Sequence, residues 1–358
     1  MRNTKVLGLV WSVLSIGCGA SSDADMGAAG SGGTQGAGSP AAGSSGSVAT
    51  TAPRKDGALD EIPSEMRPKT LLPSLQNKLL IPDLESGAVA MFTDIVKVKA
   101  GEDVTYCTYM AGTTKSVTYV HDSLGLQSKY GHHAILQYTT TPQPPGTKPC
   151  SLESLEAQQG QIIGGVGGEG TSSDAVKLPV NVVSEVPAGA QFIINHHWIN
   201  TGETEADAQA EMITVHPPAG MELQIARAFS VVVVDFNVPP GQTTEHYKEC
   251  ELQEDMKVLS FLGHQHGAGT HVKAERMGDR ADVIFDHAFT YDMVSHPKTR
   301  SFPIDAPYEL KKGDRVRMTC QWQNPGTSPL TFPGEMCVMF GWKLGGDKDA
   351  ICLGGNWL

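Results

Sequence analysis

Twelve histidines occur in the 358 residues, and six of them fall into three tight groups: His132-His133, His196-His197 and His264-Gln265-His266. A neutral imidazole offers one nitrogen lone pair and suits Cu, Zn, Ni or Fe. In His-x-His the two rings can serve one ion, because alternate residues of a strand point to the same face. Adjacent histidines face opposite sides of a regular strand, so both reach one ion only at a strand end or a bulge. Each group alone also fits a plainer reading as half-exposed or packed strand residues. The other six, His121, His216, His246, His271, His287 and His296, are isolated and read as surface or core residues. Met336, in Gly334-Glu335-Met336-Cys337, would ordinarily be core packing. Beside imidazoles, its soft thioether would instead favour Cu(I).

The elements that position these groups are strands. Forty glycines and 22 prolines punctuate short β-branched and aromatic runs. Strands are predicted near residues 96–99, 104–107, 134–138, 180–186, 192–194, 231–234, 256–262, 271–276, 281–285, 315–321 and 337–342. No stretch carries a helical period. The pattern predicts an all-β chain of two tandem β-sandwich domains, 71–218 and 219–358, divided at the Pro-Pro-Ala-Gly break before residue 221. A net charge of −12 without a basic face argues against nucleic-acid binding. No apolar run reaches the roughly 20 residues of a membrane-spanning helix.

Ahead of these domains, Arg2 and Lys5 precede an apolar run, Val6 to Ile16, and then Gly17-Cys18. This is the layout of a secretory signal over residues 1–17, and it resembles a bacterial lipoprotein signal with Cys18 as the lipidated residue. Ser15 stands where such signals usually carry Leu. Of the 34 residues from Gly19 to Ala52, 25 are Gly, Ala or Ser, and residues 18–70 are read as a flexible tether. The expected location is the cell envelope, lipid-anchored, on the periplasmic or surface face of the outer membrane. With Cys18 set aside, six cysteines remain: 107, 150, 250, 320, 337 and 352. No CxxC pair is present, so disulfides are favoured over thiolate metal sites. Fifteen pairings are possible, and the spacing suggests one bridge in the first domain and two in the second.

Taken together, five motifs over roughly residues 75–355 resemble the ascorbate-dependent type II copper monooxygenases, the family of peptidylglycine α-hydroxylating monooxygenase and dopamine β-monooxygenase. In order they are Val104-Thr105-Tyr106-Cys107, Gly131-His132-His133-Ala134-Ile135-Leu136, Asn195-His196-His197-Trp198, Gly263-His264-Gln265-His266 and Gly334-Glu335-Met336-Cys337. The resemblance implies two jelly-roll sandwiches facing an open, solvent-filled cleft, with one copper on each. The first copper would be held by His132, His133 and His197; His197 fits the motif better than His196. The second would be held by His264, His266 and Met336, which carry the O2 chemistry. The implied disulfides are Cys107–Cys150, Cys250–Cys352 and Cys320–Cys337. The implied reaction is hydroxylation of a C–H bond of a small molecule by O2, with ascorbate or another one-electron donor.

The departures concern the substrate. Leu262 stands where the peptidylglycine enzymes carry an Arg for the peptide carboxylate, Val338 and Phe340 where they carry Asn and Tyr, and Ala134 where they carry Met. A pocket lined by Leu262, Val338 and Phe340 would prefer a substrate without a carboxylate anchor, unless another Arg, such as Arg227 or Arg276, reached it. The competing reading is a non-catalytic copper-binding or copper-relay protein that uses the same ligands.

Overall fold

The computed structural model describes residues 54–150, 160–173, 178–294, 296–332 and 334–357. The expected signal, the expected lipidation at Cys18 and the Gly/Ala/Ser-rich stretch to residue 53 lie outside the described residues. Among the described residues there is no α-helix, only strands and four short 3₁₀ turns, as the turn-rich sequence predicts.

The first sandwich packs a five-stranded sheet on a four-stranded one. In order, the five strands are Gln161–Gly167, Gly131–Thr139, Gln191–Ile199, Asp103–Tyr109 and Gly146–Pro149. The four are Gly170–Ser173, Asp122–Gln127, Ala210–Val215 and Ala90–Phe92. Met91, Ala134, Leu136, Ile194 and Met212 form the core between them. The second sandwich packs Thr243–Glu251, Arg315–Gln323, Gly269–Met277 and Asp282–Ala288 on a larger sheet that contains Met256–His264, Val338–Leu344 and Gln224–Val232. Phe229, Val231, Phe261, Val272, Met318 and Trp322 are buried between these layers.

The larger sheet does not stop at the second sandwich. Gln224–Val232 runs parallel to Val182–Val186, pairing Val182 with Gln224 and Val183 with Ile225. Beside this seam lies an apolar cluster of Val182, Ala226, Ala228, Leu259, Leu262 and Trp342. The buried Asp349 fastens the same junction: its carboxylate accepts bonds from the Ile162 and Ala228 amides, and its own amide donates to Gln161. The two sandwiches are therefore joined by a shared sheet and a packed interface.

The folded part begins earlier than the sequence suggests. Residues 54–70, expected to belong to the tether, carry a strand, Arg54–Gly57, and two 3₁₀ turns, Leu59–Glu61 and Ser64–Met66. Ile62, Leu72, Leu75, Leu79 and Leu80 pack on the outer face of the four-stranded sheet through Phe92, Leu124, Leu126 and Ile213. These apolar side chains, scattered through a polar segment without a strand period, strap it to the sandwich. Gln209 bonds the Leu72 amide, and Glu211 the Leu80 amide.

All three expected bridges are present: Cys107–Cys150, Cys250–Cys352 and Cys320–Cys337. The first lies in the first sandwich and the other two in the second.

Candidate metal centre

His133 and His197 face each other across neighbouring strands, with ring centroids 4.9 Å apart. Between this pair and the next, Gly131 with Trp198, the register slips by one residue, and His132 is the extra one. Strict alternation would send His132 inward with Ala134 and Leu136. The bulge turns it to the side of His133, and the two adjacent rings come together with centroids 5.2 Å apart. The preceding turn is strained to the same end: Tyr130 holds a positive φ of 70°, a conformation costly for a bulky residue.

His264 ends its strand, opposite Val338, and His266 lies just beyond; their rings are 5.3 Å apart. Gly263 lets this strand end approach the other layer, since a Cβ there would meet Val272 Cγ2 at 2.6 Å. Glu335, almost fully buried, binds the His-x-His loop to the Met336 loop. Its carboxylate accepts from the amides of His266 at 2.5 Å, Met336 at 3.0 Å and Ala268 at 3.1 Å. Burial raises the Glu335 pKa, and the three amide bonds oppose that rise. The Cys320–Cys337 bridge ties the same loop to the strand Arg315–Gln323. Met336 is half-buried there.

The two histidine groups meet. Ring centroids are 4.9 Å apart for His132 and His266, 5.7 Å for His197 and His266, 6.2 Å for His132 and His264, and 6.3 Å for His133 and His264. The resemblance implies two separated sites across a solvent-filled cleft. Instead the five imidazoles form one cluster in which His132, His197 and His266 are buried. The shared sheet and the Asp349 junction explain the closure, because they hold the two sandwiches together beside the cluster.

Hydrogen bonding decides which nitrogens are free. His266 Nδ1 lies 3.1 Å from the Gly334 carbonyl oxygen, which can only accept. The proton therefore sits on Nδ1 and leaves the lone pair on Nε2. His197 Nε2 lies 2.5 Å from an Asp103 carboxylate oxygen, so its lone pair is on Nδ1. Those two atoms, His266 Nε2 and His197 Nδ1, together with His132 Nε2, are buried without a hydrogen-bond partner. A ligand atom from each of these three residues lies within 4.8 Å of the others. Three neighbouring imidazoles, each with a buried unpartnered nitrogen, fit a first-row transition ion.

Four of the imidazoles, His132, His133, His264 and His266, are also held uncharged. Desolvation, followed by the neighbouring histidines, lowers the pKa of His132 and His133 far below the ordinary value and that of His264 to about 3. Burial lowers His266 to about 4. Metal binding needs imidazole in this neutral form.

His196 is not part of the cluster. It faces the sandwich interior, where its Nδ1 accepts from the Trp198 indole at 2.8 Å and its Nε2 lies 2.9 Å from the Thr108 hydroxyl. Both nitrogens are occupied, so His197 is the ligand candidate of that motif. The expected substrate lining changes as well. Leu262 is buried and pairs with Phe340 in the apolar cluster that joins the sandwiches, so both belong to packing between the halves. Arg227 is engaged with Tyr138 and the Glu185 carbonyl, and Arg276 with the Arg280 and Glu309 carbonyls. Sequence reasoning missed Asp103, which carries no motif signal. It also gave no role to Glu335, although Glu335 stands inside the motif that contains Met336.

No protein-family model matches the chain, and no curated protein does. Among solved structures it is similar to PNGase F, a glycosylasparaginase from Flavobacterium meningosepticum. That match has 9% identity and a TM-score of 0.35, and covers 74% of this chain and 97% of that one. It is also similar to the major capsid protein P2 from bacteriophage PM2, with 8% identity and a TM-score of 0.34, covering 73% and 98%. At these values the likeness carries no argument about the site.

Proposed function

We propose that the chain is a copper-dependent monooxygenase that hydroxylates a C–H bond of a small substrate. The balanced reaction is R–H + O2 + 2 e⁻ + 2 H⁺ giving R–OH + H2O, with the electrons from ascorbate or an equivalent one-electron donor. The observation that carries the reading is the cluster itself: five imidazoles in contact, three of them with buried, unpartnered nitrogens and with ligand atoms within 4.8 Å of one another, beside a loop that offers Met336. The five motifs and the disulfide pairing support copper over other imidazole-binding ions. Copper at such ligands supplies one-electron exchange and O2 activation, which zinc does not.

The chain's own contribution is arrangement. Asp103 and the Gly334 carbonyl fix two tautomers, Glu335 locks the Met336 loop to His266, and the seam holds the ligand strands in register. Arg227 and Arg276 are both engaged with backbone carbonyls, which supports a substrate without a carboxylate anchor. Three disulfides support an exported protein, and the Cys18 motif supports a lipid anchor on the cell envelope.

A second reading is favoured by the burial of the cluster: a non-catalytic copper-binding or copper-relay protein. Copper-loaded protein, ascorbate, O2 and a pool of uncharged small molecules, followed by mass spectrometry, separate the two. Copper-dependent gain of one oxygen atom, lost in His264→Ala and Met336→Ala, is expected for the monooxygenase. Copper uptake with no oxygenated product would select the relay.

A further inference from the structure

We infer that one metal ion binds between the two sandwiches, held by His132 Nε2 and His197 Nδ1 from the first and by His266 Nε2 from the second. This ligand set crosses the division that the motifs suggest, in which His133 completes the first site and His264 the second.

Three observations carry it. These are the three cluster nitrogens that are buried without a partner. Their residues are the ones whose ligand atoms come within 4.8 Å of one another. Two of the three lone pairs are set by acceptors on the far side of the ring, Asp103 for His197 and the Gly334 carbonyl for His266. An orphaned buried nitrogen is costly, and an ion satisfies all three at once. Neither His133 nor His264 has a nitrogen that is both buried and unpartnered. An ion at about 2.0–2.1 Å from each nitrogen needs them about 3.3–3.6 Å apart, so small ring movements complete the site. Bound there, the ion links residues of both sandwiches and favours the closed arrangement.

The assignment rests on the metal-centre part of the proposed function, and zinc tests it without any hydroxylation. The mature chain, stripped with chelator, is titrated with Zn²⁺ by calorimetry as wild type, His266→Ala and His133→Ala. The first equivalent should weaken at least 100-fold in His266→Ala and by less than tenfold in His133→Ala. The unmodified chain gives an answer that does not depend on variants folding. In ¹⁵N spectra of the zinc-loaded protein, His132 Nε2, His197 Nδ1 and His266 Nε2 should move to metal-bound shifts with the first equivalent. First-equivalent shifts at His133, with His266 unmoved, would overturn the assignment and leave the metal-centre reading standing. No tight binding in the wild type would overturn both.

Discussion

His132 and His266 belong to different sandwiches, yet their rings meet edge to face with centroids 4.9 Å apart. A bulge on one side and a strand end on the other place them there, and the seam between Val182 and Gln224, fastened by the Asp349 carboxylate, joins their sandwiches.

The two members of the Asn-His-His-Trp motif should separate cleanly on mutation. His197→Ala should lose metal while folding normally. His196→Ala should keep metal uptake but leave the Trp198 indole N–H buried without its acceptor, at a cost of about 1–3 kcal/mol. Metal analysis beside urea unfolding of both variants checks the pair; metal loss confined to His196→Ala would reverse the assignment.

Glu335→Ala should release the His266 and Met336 loops from each other. Removal of a group that orients metal ligands typically costs 10–100-fold in affinity, and this loss is expected in a Zn²⁺ or Cu²⁺ titration. Unchanged affinity would show that the loop is held by the disulfide alone.

Glu211 is fully buried, with one carboxylate oxygen unpartnered, and burial raises its pKa to about 8 from 4.5. The folded state therefore keeps a proton that the unfolded state has released. Stability from this group is present below pH 4.5 and is lost as pH rises through 8, at up to about 1.4 kcal/mol per pH unit. Relative to Glu211→Gln, which keeps an acceptor for the Leu80 amide, the wild type should lose stability between pH 5 and 8. Parallel stability-against-pH curves would refute the buried protonated carboxyl.

What the sequence shows, and what it hides, divides along physical lines. Strand positions and the two-sandwich layout were legible, because alternation and turn residues are local signals. The disulfide pairing came from the five motifs and not from spacing. The merging of the two histidine groups was not legible. It depends on the parallel pairing of Val182 with Gln224 and on Asp349 reaching Ile162, contacts between distant segments that leave no local pattern. Asp103 was invisible for the same reason, as its role exists only once the strands Asp103–Tyr109 and Gln191–Ile199 are paired.

Leu262→Ala should behave as a core substitution. It removes a buried side chain from the inter-sandwich cluster, and about 2–5 kcal/mol of stability should be lost. A change below 1 kcal/mol in denaturant unfolding would instead place Leu262 at an open pocket wall.

The chain from residue 54 onward should show no free thiol after denaturation without reductant, since three bridges account for its six cysteines. A thiol reagent that titrates two or more equivalents would break the pairing.

The strand Gln224–Val232 lies between Val338–Leu344 on one side and Ala350–Leu353 on the other, and Cys250 waits for Cys352. Assembly must therefore run backwards along the chain: the middle of the sequence finds its neighbours only when the last twenty or so residues have arrived. Such distant pairings fold over milliseconds to seconds. Until those residues arrive, the imidazoles of the first sandwich, His132, His133 and His197, have no settled partner in His264 and His266. The five-imidazole cluster is thus a property of the finished fold alone, in whatever compartment the chain completes it.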